Sequence, residues 1–194
     1  MTKTKPRRPA PRPVPTPKKP IGRWVLYGIL GTAALALVVF LAIPPEKPLS
    51  FEDVPGGLPE GIEEVVVGDP VHADGPIGYD RLVPAGGAHS PTPVTCTIYD
   101  DPIPAERAVH SLEHGAVWVT YQSKDAIDLG TLERLARSRS KLILSPVPAQ
   151  ASPILVTSWG WQLELHDAGD IRLRQFIQAV QGQFSKAPES GAPC

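Results

Sequence analysis

Five histidines occur in the chain, and four of them fall within a short span: His72, His89, His110 and His114. The last two belong to VHSLEHGAVWVTY, residues 109–121, with the spacing H-x-x-E-H. On a helix, residues at i and i+4 share one face, so the two imidazoles lie near enough to share one ion. Imidazole nitrogen suits Zn²⁺ or Cu²⁺. Glu113 sits one residue round the turn from His114 and is placed to orient a ring or a bound water. His89 follows two glycines in GGAHS, where the backbone is free to turn tightly and aim the ring inward. A loop histidine with a helical pair makes a three-nitrogen set, so His89, His110 and His114 are the expected metal ligands. His72, in PVHADG, is a fourth ligand or a supporting group, and no residue is assigned a catalytic role.

Two other accounts of the same residues compete. In the zinc peptidases called inverzincins, H-x-x-E-H supplies two ligands and a general base. That chemistry requires a long helix and an acidic third ligand from a later one. Here Gly115 follows directly, and the last helix offers only Asp170 near its start, which disfavours a peptidase. The plainer account is structural. His114 is then a helix-end residue favoured by the negative end of the helix, and His110 is half-buried against a backbone carbonyl. His166, alternating within WQLELHD, reads as an outlying surface residue.

The elements that must hold these groups read as α+β. IEEVVVG, residues 62–68, suggests a strand, and residues 69–104, dense in proline and glycine, suggest a long ordered loop with short strands. PAERAVHSLEH suits a short helix with Pro104 at its first turn and Gly115 at its end. AVWVTY then alternates as a strand. Residues 127–138 form an amphipathic helix, and KLILSPV, PILVTSW and WQLELH are three further strands. DIRLRQFIQAVQG places Leu173, Phe176, Ile177 and Val180 on one helical stripe, with Gly182 to stop it. The expected domain is compact, with a small, mostly antiparallel sheet and two or three helices.

Charge sets the expected compartment. Residues 1–23 carry eight basic residues and no acid, whereas all 20 acids lie after Phe40. Between the two runs WVLYGILGTAALALVVFLAI, residues 24–43, without a charge. Twenty residues at about 1.5 Å each span roughly 30 Å, a bilayer's hydrocarbon thickness. A cleaved signal peptide would be shorter and end in small residues, so a retained anchor is the expectation. By the positive-inside rule the basic, proline-rich arm stays cytoplasmic and disordered, and the C-terminal part lies outside the cell membrane. The domain organisation is then arm 1–23, transmembrane helix 24–43, linker 44–60 and extracytoplasmic domain 61–194. No basic groove for nucleic acid and no phosphate-binding glycine loop is present in the outer part.

The two cysteines are Cys96 and Cys194. An extracytoplasmic location permits a disulfide between them, which would tie down the tail PESGAPC. Free thiols and thiolate metal ligands are the alternatives.

HADGPIGY, VPAGGAHS, TCTIYDDPIP, AVHSLEHGAVWVTY, LSPVP, SWGWQLEL and PESGAPC together resemble the bacterial domain-of-unknown-function family 3105, from about Gly61 to Cys194. The resemblance implies one N-terminal span and an extracytoplasmic domain. It implies that His72, His89, His110, Glu113, His114 and Tyr121 occupy motif positions, Glu113 and Tyr121 in supporting roles. It brings no reaction, substrate or cofactor. Val83-Pro84-Ala85-Gly86 and Thr97 depart from the family's usual residues without touching the histidines. Three functions follow: a membrane-tethered copper or zinc binder, an envelope interaction module with structural histidines, and a metal-dependent hydrolase. The first is preferred and an enzyme is disfavoured.

Overall fold

VWVTY, Val117–Tyr121, is β-branched and aromatic, and all five residues are buried. Such a strand belongs in the middle of a sheet covered on both faces. The structure is a computed structural model that describes Gly22, Tyr27 and residues 54–194. Contacts divide the chain into two units, Met1–Pro48 and Leu49–Cys194. The expected arm and span, residues 1–43, lie outside the described residues apart from Gly22 and Tyr27, as does the expected linker up to residue 53. Among the described residues no helix is long and apolar enough to cross a membrane.

The second unit is an α+β domain. Its elements are β1 (Glu63–Glu64), α1 (Ala105–Glu113), β2 (Val117–Tyr121), α2 (Leu129–Ser138), β3 (Leu142–Pro146), β4 (Ile154–Ser158), β5 (Trp161–Leu165) and α3 (Ile171–Val180). The strands form one mixed sheet in the order β1-β5-β4-β2-β3. Only β2 and β3 run parallel, and α2 supplies the crossover that a parallel pair needs. The other three pairings are antiparallel.

The strand period of two divides the core between the two faces of the sheet. Val117, Val119, Leu144, Val156 and Leu163 join Leu132 of α2 and Leu173, Phe176 and Ile177 of α3. Trp118 and Ile143 point the other way, against Val109 and Leu112 of α1 and against Trp159. On that second face Trp118 Nε1 donates to Ser145 Oγ at 2.9 Å. Gln162 Nε2 donates to the Val83 carbonyl at 2.7 Å, fastening the long loop to the sheet.

β1 is shorter than the strand expected over 62–68. Glu64 pairs with Trp161, the first residue of β5, so Val65 already faces the Trp159–Gly160 turn and the partner strand has run out. Val66 is accordingly 97% exposed. Residues 65–104 contain no further strand, only the isolated parallel bridges His72–His89 and Ile98–Leu144. Residues 54–60, within the expected linker, lie along α3: Arg172 Nη1 donates to Glu60 O, and Leu58 packs on the core. Cys96 and Cys194 form the expected disulfide, with their Cα atoms 5.5 Å apart.

Candidate metal centre

The end of α1 builds half of the cluster. His110 and Glu113 stand three residues apart on one helical face, and His114 follows as the capping residue. The helix stops in a Schellman turn. Gly115 N donates to Leu112 O at 2.9 Å and Ala116 N to Ser111 O at 3.0 Å, with Gly115 at φ +86°. A side chain at Gly115 would strain that φ and press on Ser190 Oγ of the tail. Ser111 Oγ accepts from Val94 N and donates to Val94 O, so the preceding loop is sewn to the same helix.

That loop delivers the other half. Gly86 and Gly87 have φ of +148° and +99°, and a side chain at Gly86 would meet Trp159 and Val67 at 3.0 Å. The turn they make presents His89, which is fully buried. His89 N donates to Val71 O and Ala73 N to His89 O, setting His72 beside it. Ring centroids of His72, His89 and His110 are mutually 4.9–5.0 Å apart, and those of His110 and His114 are 4.5 Å apart.

Main-chain carbonyls fix the tautomers. Nδ1 of His89 meets Gly87 O at 2.8 Å, Nδ1 of His110 meets Ser90 O at 2.7 Å, and Nδ1 of His114 meets Pro193 O at 2.6 Å. A carbonyl only accepts, so each Nδ1 carries the hydrogen and each neutral ring is left with a bare Nε2. Metal-bound histidines are held in the same way.

The bare nitrogens converge. His89 Nε2 lies 2.9 Å from Glu113 Oε2, yet both atoms are buried and neither takes part in a hydrogen bond. With the ring's hydrogen on Nδ1, both atoms are acceptors and no hydrogen lies between them. His72 Nε2 is 4.0 Å from the same oxygen, and its side chain is 53% exposed. His110 Nε2 and His114 Nε2 face each other at 3.0 Å. Two lone pairs at that distance repel unless a proton or a metal ion serves them. Burial lowers the pKa of His110 against a rise from the Ser90 carbonyl bond, and His114, His89 and His72 lower it further.

Donor atoms of His72, His89, His110 and Glu113 all lie within 4.8 Å of one another, and so do those of Glu113, His114 and Glu189. Of the expected set, His72, His89 and His110 lie in the first group and His114 in the second, with His110 and His114 still 3.0 Å apart at their Nε2 atoms. Glu113, expected to orient a ring or a water, is common to both groups, and His114 falls with Glu189 in the second. Glu189 went unnoticed in the sequence, although its place just before the bridged Cys194 pointed the tail toward Cys96 and α1. Tyr121 lies at the far end of β2 in the apolar core, where burial raises its pKa, followed by Asp100, Glu133 and Asp101. Its surroundings are those of the core and not of the histidines. His166 is exposed, as expected.

No curated protein and no solved structure matches the chain. Residues 71–194, which contain every donor of the cluster, match the family described as protein of unknown function (DUF3105), and the chain belongs to that family.

Proposed function

We propose that the protein is a single-pass membrane protein whose extracytoplasmic domain binds a divalent transition metal, zinc or copper. His89, His110 and Glu113 are its ligands, and His72 is an exposed fourth donor. The anchor rests on the uncharged run at 24–43 between a basic arm and an acidic domain, and the disulfide fits an oxidising exterior. The metal rests on one observation above others: a buried imidazole nitrogen and a buried carboxylate oxygen, 2.9 Å apart, are left without hydrogen bonds. Buried polar atoms are nearly always satisfied, and a carboxylate buried without compensation is costly. A cation bound by both removes the cost. Nitrogen and oxygen donors together suit zinc, and the imidazoles suit copper as well.

The test is a titration of the metal-free full chain with Zn²⁺ and with Cu²⁺. Binding should weaken by more than about 100-fold in His89→Ala and His110→Ala, beyond the range seen when only a supporting group is removed. A wild-type chain that takes up neither ion, and whose melting temperature neither ion changes, would sink the proposal. It would favour an interaction module with structural histidines.

A further inference from the structure

Resting on that reading, we infer that Glu113, His114 and Glu189 form a second cation position beside the first, so that the domain holds a pair of divalent ions with Glu113 shared between them. A tetrahedral zinc ion accepts four donors, and the cluster offers six side chains: His72, His89, His110, Glu113, His114 and Glu189. They fall into two groups with Glu113 in common. A carboxylate has two oxygens, and Oε2 of Glu113 lies 2.9 Å from His89 Nε2 and 4.0 Å from His72 Nε2. His114 contributes its Nε2, because its Nδ1 is spent on Pro193 O, and that Nε2 stands between Glu189 Oε2 at 3.5 Å and His110 Nε2 at 3.0 Å.

Glu189 is held in place by the main chain. Its N–H donates to Glu113 O at 3.0 Å, Gly191 N donates to His114 O at 3.4 Å, and Cys194 is bridged to Cys96. The tail thus brings a carboxylate to the end of α1. That carboxylate is 59% exposed, so the second position opens to solvent. Two divalent ions against two carboxylates leave positive charge uncompensated. The open side therefore suits a hydroxide or another small anion as the remaining ligand.

Zinc counted per chain after loading and desalting, with titration calorimetry of the metal-free full chain, tests the inference. The wild type should hold two ions. Glu189→Gln and His114→Ala should hold one, the second position weakening by more than about 100-fold, while His89→Ala disturbs the first. Glu189 is exposed, so Glu189→Gln preserves the fold, which its circular dichroism checks. One ion in the wild type overturns the second position and leaves the first standing, whether or not the variants keep it. Two ions persisting in both variants overturn the assignment to these residues. No ion at all overturns both proposals.

Discussion

Glutamine at position 113 would keep the shape of the side chain and remove its charge. In the metal-free protein that charge is buried with one oxygen unsatisfied, so Glu113→Gln should leave the melting temperature in a chelator unchanged or raise it by a few degrees. Were Glu113 instead one half of a structural ion pair with His89, breaking that pair would cost about 3–5 kcal/mol. Thermal unfolding in the presence of a chelator separates the two, and a large drop would assign the cluster to structure. The donor residues were legible in VHSLEHGAVWVTY because helical spacing places His110, Glu113 and His114 together. That Glu113 is common to two donor groups was not, since sequence spacing does not show which of the three side chains also meets His89 and Glu189. Nor was the pairing of His72 with His89, because an isolated parallel bridge leaves no local pattern.

Helix ends set the site as much as helix faces do. α1 begins at Pro104 without a side-chain cap and is held by packing, whereas α3 is capped by Asp170, which accepts from Arg172 N at 2.9 Å. Asp170→Ala should destabilise the domain by about 0.5–2 kcal/mol at neutral pH. Hydrogen bonding from Arg172 is the main cause that lowers the Asp170 pKa from 3.8. Its contribution is therefore complete above that value and is lost as pH falls through the lower, folded value. Denaturant unfolding of both proteins should show a difference that closes in acid; a constant difference would mean that charge plays no part. β2 to β5, α2 and α3 were readable from period and punctuation. β1 was overread because VVV looks like a strand, but its partner turns away at Gly160. The stretch 69–104 was readable only as a long loop with short strands, of which isolated bridges alone are present. Its course is set by distant contacts, such as that of Gln162 with Val83 and that of Ser111 with Val94.

Across the whole domain the Cys96–Cys194 bridge links the last residues to the loop beside α1. Removing it in Cys194→Ser frees a loop of roughly 100 residues, with a loss of up to about 4.7 kcal/mol. The same variant should weaken zinc binding, because Glu189 and the Pro193 carbonyl leave with the tail. Stability from urea unfolding and affinity from calorimetry should fall together; full affinity in the variant would show the tail to be a staple alone. The rings themselves are supported by carbonyls of Gly87, Ser90 and Pro193, which are main-chain atoms. A side-chain partner would vanish with a single codon change, but an amide oxygen survives any substitution that keeps the backbone path. Ser90 and Pro193 are thus free to drift while the imidazoles keep their aim. Over evolutionary time such a site would leave its trace almost wholly in the donors and in the residues that shape the turns.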